Sequence, residues 1–253
     1  MKKIENIFLI LATGVSFVLL LKNPKVVSFG AVKGLMMCGE IIIPSLFIFS
    51  VIGIFVVSSN CTKILTAFIS PFTKLFFGLN GEAFIVFLVS LFSGYPVGAK
   101  LINDMVENEK LNGKDANKML AYCVNAGPGF IILAIGEKIF HSKTLGHVLF
   151  ASHLISSLIL ALFLRGKKEK EYPQNVANVS LSDSFVTSVN AAAQSIINIC
   201  AFVILFSVLF EIFSQYNLKF FLPFFEVTNG IILTKNLFFA SFLLGFGGIS
   251  VQL

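Results

Sequence analysis

Apolar runs long enough to cross a bilayer, broken by glycine rather than ended by charge, most constrain what this chain can become. Residues 145–164 contain no Asp, Glu, Lys or Arg, and the stretch that runs to Phe210 is mainly apolar too. About 20 helical residues cross a hydrocarbon layer of roughly 30 Å, and runs this continuous favour helices over barrel strands, which would read as short alternating segments. Two interruptions are polar and glycine-rich: Ser-Gly-Tyr-Pro-Val-Gly-Ala-Lys at 93–100 and Leu-Gly-Phe-Gly-Gly-Ile-Ser-Val at 244–251. Irregular backbone at membrane depth survives only where protein surrounds it or a wet cavity meets it. A matched pair of such breaks therefore reads as a candidate solute site.

Composition excludes a soluble fold: 56% of residues are apolar and 13% charged, with a mean hydropathy of +0.89. The partner implied is the lipid bilayer of a cell membrane. The formal net charge is +6, but the basic residues sit in short connections between apolar runs, which speaks for membrane orientation and against nucleic acid. In the loop 165–171, Arg165, Lys167, Lys168 and Lys170 outnumber Glu169 and Glu171, which puts this loop in the cytoplasm. Cys38, Cys61, Cys123 and Cys200 are scattered without C-x-x-C spacing and read as buried free thiols. Lys2 and Lys3 precede the apolar stretch 7–21 with no small-residue cleavage site after it, so residues 1–25 read as an uncleaved first transmembrane helix and loop.

The expected fold is an all-α polytopic membrane protein with about six to eight inserted segments. Residues 26–164 form a first repeat, 165–183 a basic cytoplasmic linker, and 184–253 a second, incomplete repeat. Phe49, Ser50, Val51 and Ile52 match Phe206, Ser207, Val208 and Leu209, which sets Lys33 on Asn190. Asn80-Gly81 precedes Gly94-Tyr95 much as Asn229-Gly230 precedes Gly245-Phe246. Four full crossings between residues 31 and 164 would leave the halves parallel, whereas one re-entrant hairpin would invert the second. The run Asn-Ala-Gly-Pro-Gly at 125–129 predicts a helix, a break and another helix.

Candidate solute contacts follow from these breaks. Ser93, Gly94, Tyr95, Pro96 and Gly98 combine hydroxyls with loosened amides, Lys100 adds positive charge just beyond, and Asn125 and Gly127 oppose them. The second break adds Gly245, Gly247, Gly248 and Ser250. Asn190, Gln194 and Asn198 recur every fourth residue and form one helical stripe, either facing a cavity or gluing helices together. Glu40 and Lys33 are ionisable groups inside an apolar segment and read as candidates for ion or proton coupling, or as residues snorkelling to the headgroups. His141, His147 and His153 fall on three faces of a helix and cannot gather one metal ion. No motif supports hydrolysis, ATP coupling or metalloprotease chemistry, so neither an enzyme nor a cofactor is expected.

The 93–100 motif, Asn-Ala-Gly-Pro-Gly-Phe at 125–130, Glu-Val-Thr-Asn-Gly-Ile at 226–231 and Gly-Phe-Gly-Gly-Ile-Ser-Val-Gln at 245–252 resemble the YlbJ family. That is the sporulation integral membrane protein family with a nucleoside-recognition, or Gate, domain, and the resemblance runs from about residue 31 onward. It implies a multi-spanning protein of spore-forming Firmicutes, with members linked to moving dipicolinic acid across the membrane around the developing spore. Loosened amides, ammonium groups and an Asn/Gln stripe suit such a flat dianion. Family members look longer; if the ending at Leu253 is real, the second half is expected to lack closing helices, as a truncated gene product, a partner chain supplying the remainder or a minimal variant would each explain, and a homo-oligomer or partner chain is the protein partner expected. The function expected is a permease for a small polar, anionic solute; the alternative is a membrane scaffold of sporulation without transport.

Overall fold

The computed structural model describes residues 14, 17–59, 65, 68, 81–164, 180–215, 222–224 and 226–247. The regular structure among them is helical, with no strand. The first-helix reading at 7–21 falls largely outside the described residues, and Gly248 and Ser250 wholly so; of the linker expected at 165–183, residues 165–179 lie outside them, while Ser180 caps a helix that already begins at Leu181. Two long apolar helices form the frame: α1 (Pro24–Ser58), 35 residues, and α7 (Leu181–Ser214), 34 residues. At 1.5 Å per residue each is about 50 Å long, enough to cross the hydrocarbon and enter both headgroup layers.

These two helices pack antiparallel. Lys33 Nζ meets Glu211 Oε1 at 2.6 Å, Cys38 Sγ lies 3.7 Å from the Cys200 carbonyl, and Ser58 Oγ lies 3.1 Å from Ser188 Oγ. Gly30 and Gly34 make a G-x-x-x-G step that lets the backbones close. A methyl group at either would stand 2.7 Å from a backbone Cα of α7, Val208 for Gly30 and Ile204 for Gly34. In α7 the face toward α1 is built from Ser184, Ser188, Ser195 and Ser207, small residues of which the first three donate to backbone carbonyls and Ser207 accepts from Asn229 Nδ2.

Helices α2 (Gly81–Ser93) and α3 (Tyr95–Glu107) are separated by Gly94 alone. A methyl group on Gly98 would lie 2.7 Å from Ser90 Cβ, whereas eight residues of straight helix span about 12 Å, so the chain doubles back at Gly94. With φ +90° and ψ 179°, Gly94 takes a conformation essentially reserved to glycine. α2 runs antiparallel to the second half of α1, with Val89 beside Gly53 and Ser93 bonded to Phe49 and Ser50. The tip of this re-entrant hairpin reaches Leu46, in the middle of α1.

Next comes a broken span. α4 (Gly113–Cys123) and the wide-turned α5 (Gly129–Ile139) lie end to end along α6 (Lys143–Phe163), which runs the other way. Asn125 contacts Ser157, Ala126 contacts His153, and Gly136 contacts Gly146, in steadily opposing order. The predicted helix, break and helix at 125–129 is thus what forms. With α1, α4–α5 and α6 crossing and α2–α3 returning, residues 101–118 lie at the Ser58 end of α1, opposite Lys22 and Lys33.

The chain closes with a short 3₁₀ turn (Leu222–Phe224), α8 (Val227–Thr234) and α9 (Leu237–Phe246). Lys235 in left-handed conformation and Asn236, whose side chain caps α9, turn the two helices onto each other, so Gly230 meets Leu243. This differs from the sequence pairing of 80–95 with 229–246: over the described residues of the first, Gly81–Ser93 is one helix to its tip, and the second is split by the turn. Large apolar side chains stay uncovered, Phe163 at 84% and Phe238 at 83% exposure, which suits lipid and not water.

Two cysteines replacing Ser58 and Ser188, in a chain whose native cysteines are changed to alanine, should crosslink under mild oxidation in the membrane. Ser58→Cys with Ser214→Cys should not; the reverse pattern would mean a parallel pair.

Candidate functional site

Three helix breaks meet halfway along α1. Gly127 packs on Gly94, where an added methyl group would stand 2.9 Å from the Phe92 carbonyl and 3.3 Å from the Gly94 nitrogen. Gly129 packs on the Ser45 carbonyl of α1. The Tyr95 hydroxyl donates to the Leu244 carbonyl at 2.8 Å and ties the first glycine break to the second, where Gly247 (φ +79°) ends α9 with its N–H on Leu243. At the same depth α1 itself departs from α geometry: Cys38–Ile42 form a π-turn, Ile43 N–H reaching back five residues to Cys38, with Pro44 just beyond.

Each break is held by side chains from its neighbours. Ser93 is fully buried; its hydroxyl donates to Phe49 O at 3.1 Å, and Ser50 donates to Ser93 O at 3.3 Å. In the break at 125–129 His153 Nε2 accepts from Ala126 N–H at 3.2 Å, so that nitrogen carries no proton. Asn125 Nδ2 donates to Tyr122 O at 2.5 Å and to Ser157 Oγ at 3.1 Å, while Ser157 donates to Tyr122 O at 2.6 Å. These are the partners that freed main-chain groups need in hydrocarbon.

The helix ends at this depth are not equivalent. α3 begins at Tyr95 and α5 at Gly129, and among the described residues neither N-terminus receives a side-chain cap. The first amides of a helix carry about half a positive charge and lack intrahelical acceptors, so both ends favour an anion. α8 has the opposite arrangement: the Glu226 carboxylate accepts from Thr228 N at 2.9 Å and Asn229 N at 2.7 Å. Asn229 in turn donates to Ser207 Oγ at 3.0 Å, which anchors α8 on α7.

The predicted contacts separate accordingly. Ser93, Gly94, Tyr95, Asn125 and Gly127 come together, Pro96 lies in the first turn of α3, and Gly98 packs on Cys123 and Ser90. Gly245 and Gly247 end α9 beside them. Lys100 does not join this group: it is exposed and sits near Asp104, whose carboxyl partial burial lifts above its ordinary range while Lys100 pulls it back. Asn190, Gln194 and Asn198 face outward, Gln194 donating to Asn198 at 3.1 Å, away from α1 and the breaks. Lys33 is paired with Glu211 and lies 5.2 Å from the Phe210 ring centroid; Glu40 is exposed on the π-turn, where its carbonyl receives Lys138 Nζ.

Sequence reasoning missed Glu226, Asn229, His153 and Ser157 as parts of the site. Glu226-Val-Thr-Asn229 stands where a helix cap would, an acid three residues before an amide, and that spacing was available to read. His153 and Ser157 lie one helical turn apart, which offers both to a single neighbour, but nothing in the spacing names the neighbour.

Fold and site define a polytopic all-α membrane protein whose discontinuous helices converge in mid-membrane. Among curated proteins the chain is similar to the sporulation integral membrane protein YlbJ of Bacillus subtilis (strain 168), 24% identical over 280 aligned positions that cover 89% of this chain and 69% of the relative. The resemblance that the motifs carry is thus accompanied by similarity over most of the chain. No protein-family model and no solved structure matches it.

Tyr95→Phe should lower stability by about 1 kcal/mol, the net worth of one hydrogen bond. Gly94→Ala should cost about 1–3 kcal/mol by forcing a side chain into a glycine conformation. Thermal unfolding in detergent measures both, and equal stability of Gly94→Ala and wild type would refute the hairpin-tip assignment.

Proposed function

We propose that this chain is a sporulation permease that passes a small polar anion through the meeting point of its helix breaks. The observation that carries the reading is the pair of uncapped helix N-termini, α3 at Tyr95 and α5 at Gly129, brought together at mid-depth by the Gly94–Gly127 contact. Helix ends aimed at an anion from inside a bundle are the device by which broken-helix transporters hold carboxylates. Similarity to a sporulation membrane protein supports the biological setting, and the family resemblance makes dipicolinate, a flat dianion, the first solute to test.

The described contacts at the breaks are protein to protein, so solute entry requires α2–α3 to separate from α4–α5 or α9. Tyr95 bonded to Leu244 is then a latch between two glycine-ended elements, and its release exposes the amides on one side at a time. The second reading, a membrane scaffold, rests on the outward Asn190, Gln194 and Asn198 stripe, which offers hydrogen bonds to a neighbouring chain.

Labelled dipicolinate should enter proteoliposomes that hold the full chain, and Gly94→Ala should slow it about tenfold, since strain of roughly 1.4 kcal/mol or more falls on the tip. A cysteine replacing Ser93 should react with a water-soluble maleimide, and dipicolinate should protect it. Absence of both flux and protectable labelling would favour the scaffold.

A further inference from the structure

Glu226 raises a question the anion reading does not answer. It is 3% exposed and packed where α8 meets the breaks, with Tyr95 and Cys38 close enough to feel its charge. Among the described residues no Lys, Arg or His lies within ion-pair distance of it: Lys33 is held by Glu211 and Lys118 by Asp115. An acid buried inside a membrane protein without a cation is costly enough to need a reason beyond packing. An Asn or Ser would cap α8 as well without bringing charge.

The groups that face it are few. Tyr95 comes from α3, and Cys38 of α1 bonds to the Cys200 carbonyl of α7. On the elements packed against α8, Glu137 and Lys138 of α5 are exposed, and so is Lys235 at the α8–α9 turn; on α7, Glu211, one turn from the Ser207 that anchors α8, is paired with Lys33. The described part of the 3₁₀ turn, Leu222–Phe224, and α9 carry no titratable side chain. A metal ion is a poor occupant, because no group of three His, Cys, Asp or Glu side chains forms among the described residues. A proton needs only the one carboxylate.

We propose that Glu226 is a proton-binding carboxyl whose protonation accompanies the anion. This rests on the permease reading above. An ionised Glu226 and an anionic solute repel each other across the low-dielectric centre, so the site accepts solute when Glu226 is neutral. In the step a proton from water on the entry side joins a carboxylate oxygen, giving a carboxylic acid. The acid keeps its hydrogen bonds from Thr228 N and Asn229 N, since its oxygens still accept. After the site turns over, the O–H bond breaks, the proton leaves to water on the exit side, and the carboxylate is restored.

The test uses full-length protein in phosphatidylethanolamine–phosphatidylglycerol vesicles, with the membrane potential clamped by potassium and valinomycin. Wild type should accumulate labelled dipicolinate about tenfold per unit of inward pH gradient for one proton per solute, and a dye inside should report acidification. Glu226→Gln, which keeps an acceptor for the α8 amides, should fold as wild type does by thermal unfolding in detergent but lose accumulation and acidification. Glu226→Asp should restore coupling. Glu226→Gln accumulating like wild type would overturn the proposal. Infrared difference spectra give a readout free of transport: a carboxylic C=O band should appear as pH falls, and vanish in Glu226→Gln. No such band overturns the proton site, whereas the band without any flux sinks the permease reading and leaves the proton site standing.

Discussion

Every main-chain N–H and C=O that leaves a helix inside the hydrocarbon must find a partner in the protein, and the architecture is organised around that need. At Gly94 the hairpin turns in mid-membrane because Ser93 donates across to Phe49 O of α1 and Ser50 of α1 donates back to Ser93 O. At 125–128 the chain leaves helix because His153 and Ser157 stand ready one turn apart on α6. The long antiparallel pair α1–α7 contributes few polar contacts to the breaks, but its glycine and serine seam holds the elements that do at fixed depth. Scaffold and site are thus divided by chemistry: small residues for close packing, serines, an asparagine and a histidine for stray backbone groups.

The electrostatics of that depth are also divided. Two helix N-termini stand without a side-chain cap and a third is closed by the chain's own carboxylate. On the permease reading, such an arrangement discriminates by charge without any buried lysine. Lys33 and Lys100 lie elsewhere, one paired with Glu211 at the end of α1 and α7 and the other exposed near Asp104.

Much of this was legible in the residues. Glycine and proline at 93–98 and 125–129 mark the breaks, because neither residue continues an apolar helix without cost, and the uncharged lengths of 145–164 and the run to Phe210 mark crossings. Direction and facing were not legible. The match of Phe49–Ile52 with Phe206–Leu209 is the same whether helices run together or opposed, and only contacts such as Lys33 with Glu211 tell them apart. The stripe of Asn190, Gln194 and Asn198 is real as a register, yet periodicity names a face and never its neighbour; here the serines took the packed face. Glu226 was passed over because a lone acid next to a short apolar stretch looks like a loop residue until the helix it caps is folded inward.

The π-turn at Cys38–Ile42 has a further consequence for how α1 serves two neighbours. One residue of helix corresponds to about 100° of rotation. The extra residue in that wide turn sets the azimuth of the upper half of α1 relative to the lower, so that Gly30 and Gly34 address α7 while Ser50 and Gly53 address the hairpin. Should the bulge migrate or relax to regular winding, the upper half would swivel like a key against a fixed lower half. The serine bolt between Ser50 and Ser93 would then slide out of its seat without any helix having to melt.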